Sequence, residues 1–148
     1  MAKIELIDLE QAIGHEIKTT WREVSRDLIS RFAELTGDKN PIHLNAKAAQ
    51  EAGFEGTIAH GYLLISLMPE MLREAVNYPT DGTIINRGIE WFFKSPVLAG
   101  DSVRLLVLAS GEKESRGVRI KLFLKMEIKS SGKIAGHGFV FFYLLKKT

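Results

Sequence analysis

Cysteine is absent from this sequence of 148 residues. Its absence excludes disulfides, thiolate metal sites and a cysteine nucleophile, and it is typical of proteins in a reducing compartment. The first eight residues carry a charge every few positions, so they lack the uninterrupted apolar core of a secretory signal peptide. We therefore expect a cytoplasmic protein.

An excess of charge of one sign is also missing. The chain has 20 Lys and Arg against 18 Asp and Glu, a formal net charge of +2. The two signs are interspersed along the chain and form no basic stripe. A nucleic-acid partner is therefore not expected.

Long uninterrupted apolar runs are missing as well. The most apolar segment, residues 58–76, contains Pro69, Glu70 and Arg73, so it falls short of the ~18 consecutive apolar residues of a membrane span. Its apolar side chains would cover nearly the whole circumference of a helix, which predicts burial on most sides. The segment thus predicts a long, buried central helix and no membrane partner.

Internal repeats, linkers and low-complexity tracts are not visible, and 45% of the residues are hydrophobic. We therefore expect a single domain over residues 1–148.

The motifs of a serine nucleophile and of a phosphate-binding loop are also missing from the sequence. Ser66 falls inside the apolar helix without the flanking glycines of a nucleophile elbow, and the run from Gly136 to Gly138 lacks the following helix of a phosphate loop.

The first half of the chain has the pattern of helices. Ser25 is suited to cap a helix whose apolar residues recur at helical spacing up to Gly37, a residue preferred just past a helix end. Asn45 is suited to cap a short helix over residues 46–51. Asp38 is therefore expected immediately beyond a helix C-terminus.

The second half has the pattern of a sheet. Apolar and polar residues alternate over residues 118–128, broken only by Phe123, which predicts a long antiparallel strand with one wet face. Further strands are predicted over residues 134–145, 101–109 and 83–93. A buried helix followed by antiparallel strands indicates the α+β class. One sheet leaves an exposed edge and face, which a homodimer would cover.

Residues 36–44 set an acid and a base, Asp38 and His43, close together around Pro41. Because Asn40 precedes the proline it is biased toward an extended conformation, so the two side chains can meet only across a turn. Such a pair suits the addition or removal of water beside an activated carbonyl, which needs a base, an acid and a donor for the enolate oxygen. The same residues also suit an ordinary turn, and spacing alone leaves both interpretations open.

The start of the central helix offers the third part of such a site. A helix N-terminus exposes unpaired amides, and Gly61 has no side chain to keep a substrate carbonyl away from them. His60 is interpreted first as a core or helix-start histidine and only second as a proton-transfer group. Asp38, His43 and His60 could together ligate a metal, but their spacing is unlike that of known helical sites, so no metal is expected.

Residues 32–44 closely resemble the hydratase motif of the MaoC-like, (R)-specific enoyl-CoA hydratase family. The similarity continues through residues 56–61 and 93–101, and it spans most of the chain from Trp21 onward. The resemblance implies the hot-dog fold, in which a curved antiparallel sheet wraps a long central helix. It also implies a homodimer with its sites near the subunit interface.

The same resemblance implies roles for individual residues. Asp38 and His43 would activate one water molecule, with Asp38 the expected base and His43 the partner in proton delivery, an order that the sequence does not fix. The Gly61 amide would hold the thioester oxygen, with His60 beside it in the substrate site, and Asn40 would order the loop. The substrate would be an acyl-CoA thioester, with coenzyme A as its handle, and no cofactor is expected.

One position departs from the pattern of the family. Some characterised hydratases carry a serine a few residues into the central helix, where this chain has Pro69, which leaves the acyl substrate open. Trp21 and the run from Ala59 to Tyr62 also resemble nodulation protein N-like dehydratases. The leading hypothesis is reversible hydration of a trans-2-enoyl-CoA to an (R)-3-hydroxyacyl-CoA. A hot-dog thioesterase and a non-catalytic acyl-thioester binder are the alternatives.

Overall fold

The computed structural model of the chain describes residues 7–8, 14–77 and 83–145. The expectation that the first eight residues form no signal peptide concerns a segment that lies almost entirely outside these ranges. The described helices are α1 (Arg26–Thr36), α2 (Pro41–Leu44), α3 (Ala46–Glu51) and α4 (Gly61–Ala75). The described strands are β1 (Ile7–Asp8), β2 (Glu16–Lys18), β3 (Arg22–Glu23), β4 (Val76–Asn77), β5 (Thr83–Phe93), β6 (Ser102–Glu114), β7 (Gly117–Ile128) and β8 (Ile134–Leu145).

Helix α1 begins and ends where its sequence predicts. The Ser25 hydroxyl accepts a hydrogen bond from the Leu28 amide at 3.0 Å, which satisfies one of the donors that a helix N-terminus leaves unpaired. Gly37 ends the helix in the left-handed conformation, at φ 77°, which a residue without a side chain adopts at no steric cost. The chain therefore leaves α1 through a sharp turn that leads directly to Asp38.

Helix α4 is the predicted central helix, although it begins three residues later than the apolar segment that starts at Ile58. Ile58 forms a bridge with Leu98, and the Ala59 amide donates to the Val97 carbonyl at 2.8 Å. These contacts hold the segment extended, so the helix starts only at Gly61. Its buried residues are Leu63, Leu64, Leu67, Met68, Met71, Leu72 and Ala75.

Four long strands of the second half and the short strands β2 and β3 form a six-stranded antiparallel sheet in the order β2-β6-β7-β8-β5, with β3 also paired to β6. Strands β5 and β8 have the predicted bounds. Strand β6 runs to Glu114 and not only to residue 109, because it forms a hairpin with β7 in which Glu114 pairs with Gly117. A separate parallel pair joins β1 to β4.

The core lies between α4 and one face of the sheet. Buried and less buried residues alternate along β7 as predicted, with Phe123 only half-buried. The inward side chains of the sheet and the buried side chains of α4 form one cluster, in which Val103, Leu105 and Leu124 have no exposed surface. The predicted α+β class is therefore confirmed. Within residues 7–8, 14–77 and 83–145, no helix is long and apolar enough to cross a membrane.

Candidate active site

The loop after α1 presents Asp38 at the surface. Its carboxylate accepts a hydrogen bond from the Asn40 amide at 3.3 Å, and the Asp38 amide donates to the Thr36 hydroxyl at 3.3 Å. These local bonds are ordinary turn chemistry, as one of the two interpretations of the sequence expects. They also leave the carboxylate exposed to solvent and to a substrate.

Asn40 orders the second part of the loop. Its backbone is extended, with φ −54° and ψ 125°, as its position before Pro41 predicts. Its side-chain oxygen accepts from the Ile42 amide at 3.4 Å and caps the short helix α2. The sequence interpretation missed this helix, although Asn followed by Pro is the signature of a capped first turn. Helix α2 is what carries His43.

His43 is fixed by its backbone contact with the segment before α4. Its Nδ1 lies 2.7 Å from the Ile58 carbonyl oxygen. Because a carbonyl oxygen can only accept, Nδ1 carries the proton, and Nε2 of the neutral ring has a free lone pair. Nε2 has no hydrogen-bond partner among the described residues. His43 therefore offers one nitrogen to a bound molecule.

His60 joins the loop to the start of α4. Its side chain is 1% exposed, and its Nε2 donates to the Asp38 backbone oxygen at 2.9 Å. Its ring stacks on that of His43 with centroids 3.9 Å apart and packs against Phe32 at 5.0 Å. The buried Nδ1 has no partner among the described residues. These contacts match the interpretation of His60 as a helix-start histidine that supports the loop.

Asp38, His43 and His60 each place a side-chain oxygen or nitrogen atom within 4.8 Å of the other two. The two imidazole planes are tilted by only 27°. A metal bound at about 2.0 Å in the plane of each ring would need lone pairs that converge, and stacked rings direct theirs along separate planes. This geometry is unfavourable for a shared metal ion. It supports the expectation of no metal, which stays a prediction.

Gly61 starts α4 beside an open cavity. The cavity has a volume of about 470 Å³, and its lining includes His43, Gly61 and Phe93 but not Asp38, Asn40 or His60. His60 makes no side-chain cap, and the Leu64 amide is the first to bond within the helix, to the His60 carbonyl at 3.2 Å. The earlier amides of α4 thus have no partner in the helix.

The other residues that line the cavity were not predicted as site residues. They are Phe54, Ile58, Ala59, Tyr62, Leu64, Lys94, Ser95, Pro96 and Val97. Segment 93–97 reaches the site because β5 ends there and the chain crosses to pair with residues 57–59. The family resemblance over residues 93–101 and the turn residues Lys94, Ser95 and Pro96 mark this segment in the sequence, but neither signal indicates its contact with residues 57–59.

Three comparisons place the chain among known proteins. The profile of the MaoC like domain matches residues 8–129. Nodulation protein N of Rhizobium leguminosarum bv. viciae is 37% identical over 108 residues, which cover 70% of this chain and 67% of that protein. The 3-hydroxyacyl-thioester dehydratase Z of Mycobacterium tuberculosis is 27% identical over 132 residues, which cover 86% of this chain and 87% of that protein.

A solved structure has a similar fold. The (R)-hydratase from A. caviae involved in PHA biosynthesis superposes with a TM-score of 0.75 at 26% sequence identity. The superposition covers 92% of this chain and 96% of that chain. The arrangement of one long helix against a curved sheet is therefore common to both proteins.

Proposed function

Because this chain belongs to the MaoC-like domain family, we propose that it catalyses the reversible hydration of a trans-2-enoyl-CoA to an (R)-3-hydroxyacyl-CoA. The hot-dog fold that the resemblance implied is confirmed by the similarity to the solved (R)-hydratase. Relatives named as a 3-hydroxyacyl-thioester dehydratase and an (R)-hydratase support a hydro-lyase reaction. The substrate and its stereochemistry belong to the proposal.

One observation carries the proposal: His43 and the start of a buried helix line one cavity, and a second proton acceptor, Asp38, lies beside His43. The Asp38 carboxylate and a His43 nitrogen lie within 4.8 Å of each other, so one water molecule can donate a hydrogen bond to both. His43 and Gly61 line the same cavity. A thioester in that cavity would have the water on one side and unpaired helix amides on the other.

The proposed reaction follows from these positions. The water oxygen bonds to C3 of the enoyl thioester while the Asp38 and His43 pair takes up one proton. The electrons of the C2–C3 double bond move to the thioester oxygen, where the Gly61 amide and the helix dipole stabilise the developing negative charge. The enolate then collapses and the pair returns a proton to C2. The net result is the addition of one water, and dehydration is the reverse.

Asn40 and His60 have supporting positions in this proposal. Asn40 caps α2 and so orients His43. His60 holds the Asp38 backbone through its Nε2, and its ring supports that of His43. We propose that both residues position the catalytic pair, with His60 next to the substrate through its neighbour Gly61.

We further propose a homodimer that forms along the outer edge of β5. Strand β5 pairs only with β8 among the described strands. It exposes Ile85, Ile89, Phe92 and Phe93 at 40%, 44%, 52% and 52%. A long edge strand with exposed apolar side chains is a template for pairing with another strand.

We also propose that residues 1–148 form a single domain and that the protein is cytoplasmic. Both proposals are based on the sequence alone.

The test is loss of the enoyl-thioester absorbance when the purified protein is mixed with crotonyl-CoA. Asp38→Asn and His43→Asn should each lower turnover by about 100-fold or more, because the two groups act as one proton-transfer unit. Asparagine at position 38 keeps an oxygen for the Asn40 amide, and asparagine at position 43 keeps a donor for the Ile58 carbonyl. Both variants should therefore stay folded.

Two matched variants control for the substitutions themselves. Asp27→Asn and His137→Asn change the same residue types at positions outside the cavity and should keep the activity. Release of free coenzyme A would instead indicate a thioesterase, and a thiol reagent detects it without background because the chain has no cysteine. Binding of crotonyl-CoA without turnover would refute the hydratase.

A further inference from the structure

A row of apolar side chains crosses the outer face of the sheet, which points away from α4. Buried core residues alternate with outward residues along β7, and residues that pair directly lie on the same face. Leu108, Phe123 and Phe139 lie opposite one another on β6, β7 and β8. Leu108 is 47% exposed, and the two rings are half-buried. These residues form an apolar row across neighbouring strands, here called the outer stripe.

Lysines border the outer stripe on both sides. Lys121 and Lys125 lie two residues before and two residues after Phe123 on β7, so they project from the same face. The Lys121 Nζ lies 4.2 Å from the ring centroid of Phe139, and the Lys125 Nζ lies 5.7 Å from that of Phe123. Both lysines are exposed, and neither forms an ion pair within the described part of the chain. The outer stripe is thus bordered by unpaired cations.

The carboxylates of this face do not neutralise the lysines. Glu127 is already paired with Arg104 at 3.0 Å. Glu16 and Glu90 lie opposite the two end residues of the outer stripe, on β2 and β5. At about 4.8 Å per strand, the backbones at these two glutamates are about 19 Å apart. The face is therefore positive along both sides of the outer stripe and negative at its two ends.

This pattern fits an acidic amphipathic helix that lies along the outer stripe. A helix is about 10 Å across, and about 12 residues of it span about 18 Å, close to the length of the row. Its apolar side chains would contact the outer stripe, while carboxylates on its flanks would reach the lysines, which lie about 7 Å to either side. Carboxylates at its ends would instead be repelled by Glu16 and Glu90.

A second copy of this chain fits the same face less well. A stable interface between two proteins buries about 800 Å² on each partner, whereas the outer stripe offers one apolar side chain per strand. A second copy would also bring its own unpaired lysines to the contact, and like charges repel. A helix with carboxylates on its flanks supplies the opposite charge over a narrow contact.

We propose that the outer stripe is a docking site for an acidic amphipathic helix of another protein, whose flanking carboxylates bind Lys121 and Lys125. The site lies on the face of the sheet opposite the core that α4 covers, and its residues do not line the active-site cavity. Docking there leaves that cavity open, and the inference does not depend on the proposed hydratase reaction.

The experiment measures binding of a stapled helical peptide of about 12 residues, with leucines on one face, glutamates on both flanks and neutral ends. Calorimetry should give a dissociation constant below about 100 µM. The double variant Lys121→Gln/Lys125→Gln should raise it by about 10-fold, the equivalent of two partly exposed ion contacts. Leu108→Ser should raise it by about 3-fold, because the peptide loses apolar contact area at an exposed position that the fold does not require.

Lys47→Gln/Lys133→Gln is the matched control, because it removes the same charge from exposed lysines of α3 and of the turn before β8. It should change the dissociation constant by less than about 2-fold. A peptide with the same residues in scrambled order should not bind. Absence of binding by the wild-type protein, equal effects of the two lysine pairs, or equal binding of the scrambled peptide would overturn the proposal.

Two further measurements distinguish other occupants of this face. A change in the assembly on Lys121→Gln/Lys125→Gln, seen by sedimentation equilibrium, would indicate a second copy and overturn the proposal. Tighter binding to phosphatidylserine vesicles than to the peptide would indicate a membrane surface and also overturn it. Turnover of crotonyl-CoA should be the same in this variant and in the wild-type protein, so failure of the hydratase proposal leaves the peptide test intact.

Discussion

The substitution Gly61→Ala should block access to the Gly61 amide while the protein stays folded. An added Cβ at position 61 would lie 2.6 Å from Cζ of Phe93 and 3.0 Å from its Cε1 and Cε2. No backbone atom is among these three nearest neighbours. Phe93 is 52% exposed at the end of β5, so its ring can rotate into solvent. The new methyl group would then occupy the space in front of the Gly61 amide.

The effect of Gly61→Ala on stability should be much smaller than its effect on turnover. Rotation of an exposed ring relieves the clash, and alanine is favoured over glycine in helices by up to about 1 kcal/mol, so the free energy of unfolding should change by about 1 kcal/mol or less. Loss of one oxyanion donor typically lowers kcat by about 100- to 1,000-fold. Gly61→Ala should therefore be a folded protein with about 1% or less of the wild-type turnover.

The assay is turnover of crotonyl-CoA together with thermal unfolding of the same preparation. Gly56→Ala is the control, because an added Cβ there meets nothing within 4 Å. The double variant Gly61→Ala/Phe93→Ala removes the ring, so recovery of activity would show that the displaced ring, and not the methyl group, had blocked the site. A folded Gly61→Ala protein with more than about half of the wild-type turnover would refute the role of this amide.

Two further predictions concern the fold and the assembly. Ser25→Ala should lower the free energy of unfolding by about 0.5–2 kcal/mol in a urea titration, because the Leu28 amide loses its cap, and a Ser30→Ala control that exceeds this loss would contradict it. Ile89→Lys places a charge on the β5 edge and should convert the dimer to a monomer in sedimentation equilibrium. Leu108→Lys, at a similarly exposed residue of β6, should leave the dimer intact, and a wild-type monomer would refute the proposed interface.

Much of the fold could be predicted from local patterns. The bounds of β5 and β8 follow from residue types and from the turn residues beside them, and α1 follows from Ser25 and Gly37. Each of these signals lies within a few residues of the element that it determines. Strand β6 was predicted too short, because its last residues are held by pairing with β7 and not by their own alternation.

The site could be predicted only in part, because its geometry depends on contacts between distant segments. The Asp38 carbonyl meets His60 across 22 positions, and His43 meets the Ile58 carbonyl across 15. The Phe93 ring lies next to Gly61 in space, although the two residues are 32 positions apart in the sequence. A pattern in one sequence indicates which residues suit the chemistry, but only the packing of α4 against the sheet brings them together.

The position of Pro69 in α4 shows which active-site contacts this departure from the family pattern can affect. It lies inside α4 and is exposed, eight residues after Gly61. At about 1.5 Å per residue, a side chain at position 69 is about 12 Å along the helix from the Gly61 amide, which is beyond the reach of a serine hydroxyl. The proline therefore removes no direct contact with the Gly61 amide within one chain. A contact of position 69 with that amide would require the second chain of the proposed dimer, so an effect of Pro69→Ser on oxyanion binding would depend on the same assembly that β5 is expected to form.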